Sequence, residues 1–164
     1  MTNEAAFTLR AAEARDVDAI VELIRALAEF EKLTHLLEVT ADKLALHLFG
    51  AKPVVEAVVA ERAGRVVAFA LFFTNFSTFL AKPGLYLEDL YVEPEQRGHG
   101  IGQALLEHLG RLAATRDYGR FEWSVLDWNE GAIRFYRRMG ATVMPDWRIC
   151  RIAGPALDAY RTPT

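Results

Sequence analysis

Apolar positions along this chain change period several times, and each change marks an element. Phe7 to Ala11 reads as a short strand. Val17, Ile20, Val21, Ile24, Leu27 and Ala28 then recur at three- and four-residue steps, which predicts an amphipathic helix with Asp16 as its cap. Thr40 is placed to cap a second helix that buries Leu44, Leu48 and Phe49. Val54 to Arg62 and Arg65 to Phe73 are β-rich and predict a hairpin turning at Ala63-Gly64. Asn75 to Gly84 reads as an irregular aromatic connection, and Leu85 to Val92 as a further strand. Gly100 to Thr115 is helical, with Ile101, Leu105, Leu109 and Leu112 on one face. Arg120 to Leu126 reads as a strand, and Asn129 to Met139 as a helix stopped by Gly140. Ala141 to Met144 and Trp147 to Ile152 predict short closing strands, and the tail from Gly154 reads as loosely attached. The order places the protein in the α/β (α+β) class, a mixed sheet with helices packed on it.

Composition narrows the class. The chain has 164 residues, 52% hydrophobic and 25% charged, which suits one globular domain over 1–164. A formal charge of −3 argues against a nucleic-acid partner. Cys150 is the only cysteine, so there is no internal disulfide, and it reads as inert filler in an apolar strand. His35, His47 and His108 lack metal-ligand spacing with acidic partners, so no metal is expected. Trp123, Trp128 and Trp147 read as packing residues near the sheet end. No apolar run reaches membrane-spanning length and no signal-peptide pattern opens the chain. The expectation is a soluble cytoplasmic protein without a membrane partner.

The chemistry concentrates in YLEDLYVEPEQRGHGIG, Tyr86 to Gly102. A strand runs into a turn with glycines at 98, 100 and 102, and a helix starts at once. Glycines let backbone N–H groups approach a ligand, and a helix N-terminus favours an anion; a diphosphate fits. The loop is not a P-loop, since GxxxxGK[ST] is absent. It is not the dinucleotide fingerprint either, because Gln103 stands where the third glycine belongs. Glu88 and Asp89 interrupt the strand with two carboxylates, which a central strand rarely carries because buried charge is costly. Alternation would put Tyr86, Glu88 and Leu90 on one face and Leu87 and Asp89 on the other.

Arg97-Gly98-His99-Gly100-Ile101-Gly102, an R-x-x-G-x-G pattern after a strand, resembles the acetyl-CoA signature of the GCN5-related N-acetyltransferases. Together with VLDWNEGAIRFYRRMGA and WRICRI, it is similar to the diamine acetyltransferase branch, which includes spermidine/spermine and thialysine enzymes. The match runs from about Leu71 to Ile152 and is looser before that, although Leu27-Ala28-Glu29-Phe30-Glu31 is similar to the end of the branch's first helix.

The resemblance implies a mostly antiparallel sheet flanked by helices, acetyl-CoA as co-substrate, a small amine as acceptor and a homodimer. It places the coenzyme diphosphate on the amides of Arg97, Gly98, His99, Gly100, Ile101 and Gly102, with the Arg97 cation beside it. The pantetheine arm would pair like an added strand with Leu90, Tyr91 and Val92, which requires a gap in the sheet there. Asn129 would contact the pantetheine, and read from the residues alone it is a helix N-cap. Tyr136, seven residues on, would protonate the departing thiolate, as a phenol protonated at neutral pH is able to do.

Glu88 would be the base. At pH 7 an alkylammonium must give up a proton at a cost of about 4–5 kcal/mol before it attacks a thioester. Asp89 reads as a structural acceptor. Phe30, Glu31, Glu122 and Asp146 are candidates for the amine pocket. Arg134, Arg137 and Arg138 are either phosphate contacts or solvated charges. Polyamine-specific members carry an acidic residue where this chain has Ser77, so the resemblance favours a short amine or lysine analogue. Two alternatives stay open: an enzyme acting on a protein lysine or N-terminus, and an acyl-CoA sensor without turnover.

Overall fold

A computed structural model describes residues 6–161, so the ends of the expected 1–164 domain, residues 1–5 and 162–164, lie outside the described residues. The chain separates into two compact units, the first ending at Ser124 and the second beginning at Val125.

The first unit is a five-stranded sheet in the order β1 (Thr8–Ala11), β2 (Glu56–Arg62), β3 (Arg65–Ser77), β4 (Lys82–Val92), β5 (Phe121–Trp123). The first three pairings are antiparallel, and β4 pairs with β5 in parallel. A parallel pair needs a crossover, supplied here by α3 (Ile101–Thr115). The β2–β3 turn falls at Ala63 and Gly64 as the sequence predicts, and both have positive φ, the geometry that closes a two-residue hairpin.

Two helices, α1 (Val17–Phe30) and α2 (Ala41–Phe49), cover one face of the sheet. Ile20, Val21, Leu23, Leu44 and Leu48 pack there with Val59, Phe69, Leu71 and Tyr91. Each fully buried aliphatic or aromatic side chain of this kind contributes about 2–3 kcal/mol. The opposite face carries Phe72, Leu85, Leu87 and Val92 beneath α3, whose Ile101, Leu105 and Leu109 are buried. A Cβ at Gly102 would stand 3.8 Å from Val92 Cγ2, so the first turn of α3 lies directly over the end of β4.

Several expectations for this unit are corrected. Phe49 is exposed; α2 buries only Leu44 and Leu48 fully, because Phe49 lies a residue beyond the stripe they form. Thr40 does cap α2, accepting the Lys43 N–H at 3.3 Å. Asp16 does not cap α1 with its side chain. Instead it accepts the Glu13 N–H at 2.8 Å and a two-pronged bond from Arg10 at 2.7 and 2.9 Å.

Asn75 to Gly84 is no irregular connection. β3 and β4 pair out to Ser77 and Lys82, and the Ser77 hydroxyl accepts the Leu80 N–H at 3.2 Å to close the hairpin. The strand expected over 120–126 is only three residues long, because its ladder to β4 ends at Leu87.

The second unit holds α4 (Glu130–Arg138) and a short α5 (Pro155–Asp158). The strands expected at 141–144 and 147–152 are absent: alternating apolar residues become a strand only where a neighbour completes their backbone hydrogen bonds, and none does here. Trp147 is 76% exposed and Ile149 69%, and Trp128 is exposed too, so neither tryptophan is buried in a core. Cys150 is exposed rather than buried in a strand. Within the tail from Gly154, α5 and a 3-10 turn occupy Pro155 to Arg161.

Candidate functional site

Glu88 sits where the β3–β4 ladder slips. Leu71 pairs with Asp89 and the next residue, Phe72, pairs with Leu87, so Glu88 is the extra residue of a β-bulge. The bulge overturns the simple alternation. Cross-strand partners share a face, so Tyr86, Asp89 and Tyr91 lie on the α1 side with Phe73, Leu71 and Phe69. Leu87 and Leu90 lie together on the α3 side with Phe72 and Ala70. The apolar series Leu85, Leu87, Leu90, Val92 carries this slip in its spacing.

A bulge bends and twists its strand, and the β4–β5 ladder ends at its threshold, with Leu87 opposite Trp123. From Glu88 to Val92 this edge of β4 has no partner strand among the described residues. Leu90, Tyr91 and Val92 therefore border an open backbone edge.

Three carboxylates gather at the bulge. Glu88 is exposed, and Asp89 is largely buried, with no hydrogen-bond or ion-pair partner among the described residues. Burial, then the negative charges of Glu88 and Glu31, push the Asp89 carboxyl up to about 6. Burial also pushes Glu31 up. Glu31 follows the last residue of α1, and Phe30 beside it is exposed. Asp89 is thus not the structural acceptor its sequence context implied. The missed signal is the slipped spacing, which turns Asp89 toward α1.

The glycine turn follows. Gly98 and Gly100 have φ of +82° and +79°, a region that costs other residues strain, and an added Cβ at either meets nothing within 4 Å. Here glycine is required by conformation, not by space. α3 starts at Ile101 with no side-chain cap and no acidic residue in its first turn. Its leading N–H groups have no partner within the helix, and the neighbouring His99 is exposed. Such a terminus has the donors and the dipole that a diphosphate needs.

Arg97 does not reach into this turn. Its Nε donates to the Val92 carbonyl at 3.0 Å, and its guanidinium carbon lies 5.3 Å from the Tyr91 ring centroid and 5.7 Å from that of Phe30. Glu122 is paired with Arg120 at 2.7 Å, so its charge is already countered. Among the described residues, no group of three or more His, Cys, Asp or Glu is placed to hold a metal ion, and no helix is long and apolar enough to cross a membrane.

In the second unit, Asn129 caps α4 by accepting the Ala132 N–H at 3.2 Å. Tyr136 lies two turns along α4, 5.6 Å centroid to centroid from Phe135. Arg134 pairs with Glu130, and Arg138 lies over the Phe135 ring. Asp146 is exposed.

Comparison with known proteins places this geometry. The acetyltransferase (GNAT) family model matches residues 17–141. The L-ornithine N5-acetyltransferase of Arabidopsis thaliana is 34% identical, over 92% of this chain and 86% of its own. The thialysine N-epsilon-acetyltransferase of Mus musculus is 35% identical, over 90% and 94%. Among solved structures, an integron cassette protein from the mobile metagenome of V. cholerae superposes with a TM-score of 0.80 at 23% identity, over 96% of this chain and 98% of that one.

Proposed function

Since this chain belongs to the acetyltransferase (GNAT) family and is an N-acetyltransferase, we propose that it transfers acetyl from acetyl-CoA to the primary amine of a small amino acid, of the ornithine or thialysine kind, or of a short diamine. The family match runs through both units, which supports reading 1–164 as one N-acetyltransferase domain. The observation that carries the reading is the open edge of β4, which leads from a carboxylate-bearing bulge straight into an uncapped, glycine-shaped helix start.

The residues present fit acetyl-CoA. Its diphosphate would lie on the amides from Gly98 to Gly102, and its pantetheine amides would pair along Leu90 to Val92, with Asn129 as a further contact. The coenzyme supplies an activated acyl thioester. This chain supplies proton handling and orientation.

Glu88 receives the ammonium proton, directly or through water, and frees the nitrogen lone pair for attack. Asp89 and Glu31 hold negative charge behind it and draw the cation to the bulge. The Tyr136 phenol holds the proton that the departing thiolate takes up. No covalent intermediate on the protein is needed, so both substrates are held together in a ternary complex. Phe30 and Glu31 border the amine, and Glu122 and Asp146 are secondary candidates for its far end. Ser77, where polyamine-specific members are acidic, is buried and spends its hydroxyl on closing the hairpin. That favours short acceptors. By the same resemblance, the working form is a cytoplasmic homodimer, to be checked by light scattering.

The test is thiol release from acetyl-CoA with ornithine, thialysine, lysine, short diamines, spermidine and a lysine peptide. Turnover with a small amine is expected, with kcat falling roughly 100-fold or more in Glu88→Gln and in Tyr136→Phe. Preference for the peptide would instead make the protein a protein acetyltransferase. Saturable coenzyme binding with no turnover on any amine would make it a sensor.

A further inference from the structure

The R-x-x-G-x-G arginine is the one formally charged member of the glycine turn, and the family resemblance implies a cation beside the diphosphate. Its observed contacts point elsewhere. The Arg97 Nε–H bonds to the carbonyl of Val92, the last residue of β4, and the guanidinium lies against two rings. Tyr91 belongs to the core under α1 and α2, and Phe30 is the last residue of α1. The cation therefore stands on the α1 side of the sheet, whereas α3, whose amides would cradle the diphosphate, lies on the other side over Val92.

We propose that Arg97 is a positioning residue that fastens the amine-facing end of α1 to the coenzyme-facing end of β4, so that the two substrates' binding is coupled through it. The proposal rests on the acetyltransferase reading above. The physical case has three parts. Arg97 immediately precedes Gly98 and stands three residues before Gly100; the positive φ of both glycines leaves the turn few restraints of its own, so anchoring Arg97 fixes where the cradle begins. Val92, which Arg97 bonds, also supports the first turn of α3. Phe30 is 45% exposed and adjoins Glu31, so the guanidinium against its ring sets the position of the α1 end. The guanidinium's planar face and directional Nε–H serve this double contact; a lysine ammonium keeps the charge but not the geometry.

The experiment compares wild type, Arg97→Lys, Arg97→Met and Phe30→Leu, with ornithine or thialysine as acceptor. Each is assayed with acetyl-CoA and with S-acetylpantetheine, which lacks the diphosphate. Melting curves confirm that each variant is folded. Positioning predicts that Arg97→Met raises the amine KM roughly five- to tenfold with either acyl donor, and weakens both donors by the same factor. Phe30→Leu, which no phosphate contact would involve, reproduces part of the donor effect. The double variant is then less than additive, and Arg97→Lys recovers little.

The opposite result is a loss confined to acetyl-CoA, with S-acetylpantetheine and the amine KM unchanged and Arg97→Lys largely rescuing. That would make Arg97 a phosphate ligand and overturn the proposal while leaving the acetyltransferase reading intact. Wild-type protein that neither binds acetyl-CoA nor acetylates any amine would overturn both.

Discussion

The Asp89 carboxyl is the most perturbed acidic group near the site, and its environment has a cost. Burial and two neighbouring carboxylates hold it up at about 6, so the folded protein binds that proton more tightly than the unfolded chain does. Stability from this group is therefore present at low pH and is lost as pH rises through about 6. At pH 8 the ionised, unpartnered carboxylate opposes folding by roughly 2–3 kcal/mol. Asp89→Asn is expected to raise Tm by roughly 5–10 °C at pH 8 and to leave it unchanged near pH 4. The same substitution weakens the field that draws an ammonium, so the amine KM is expected to rise. Melting curves across pH together with amine saturation at pH 8 check both halves. A Tm that does not move at pH 8 would mean that Asp89 is better solvated than its burial implies.

At the scale of the element, two devices shape the site: the bulge at Glu88 and the left-handed glycines ahead of α3. Gly100 has φ +79° with nothing near an added Cβ, so Gly100→Ala meets strain but no clash. The backbone relieves the strain by re-aiming the amides at the helix start. Coenzyme affinity is expected to fall about tenfold, for a stability loss of only about 1 kcal/mol. Gly64→Ala is the control, since Gly64 has a similar φ of +74° and open surroundings in the β2–β3 turn. It is expected to lose similar stability and leave coenzyme binding unchanged. Equal losses of affinity in both would mean that general strain, not amide direction, is responsible. Calorimetric titration with CoA alongside thermal melts reads the difference.

At the scale of the whole first unit, one ion network ties distant parts of the chain. Arg10 on β1 bonds Asp16, at the entry to α1, and Glu61 on β2. Asp16 is only 4% exposed, and the Arg10 guanidinium holds its carboxyl below the usual range. This stabilisation is present above the ordinary Asp pKa and is lost as pH falls, opposite in sign to that of Asp89. Asp16→Asn leaves a buried amide facing Arg10 and is expected to cost roughly 2–3 kcal/mol at pH 7. In acid that deficit shrinks, because the unfolded wild-type chain then binds a proton on Asp16 that the Arg10-paired carboxylate of the folded protein resists. Urea unfolding at pH 7 and pH 3 measures it; a deficit that stays constant with pH would assign the loss to packing rather than charge.

Much of this was legible locally. Helical spacing marked α1 and α3, Ala63-Gly64 marked its hairpin, Thr40 its cap, and the glycines of 98–102 marked the anion-shaped turn, because each depends on residues within a few positions of one another. The adjacent carboxylates of Glu88 and Asp89 marked the strand that carries the chemistry. Tertiary structure decided what depends on partners. Which way Asp89 faces follows from a register slip against β3. The length of β5 follows from where β4 stops being available to pair. Trp147 to Ile152 has a strand's pattern and no strand's ladder, since a strand exists only when another backbone completes it. Whether Arg97 serves a phosphate or a fastening depends on Phe30, sixty-seven positions earlier in the chain, which only the fold brings beside it.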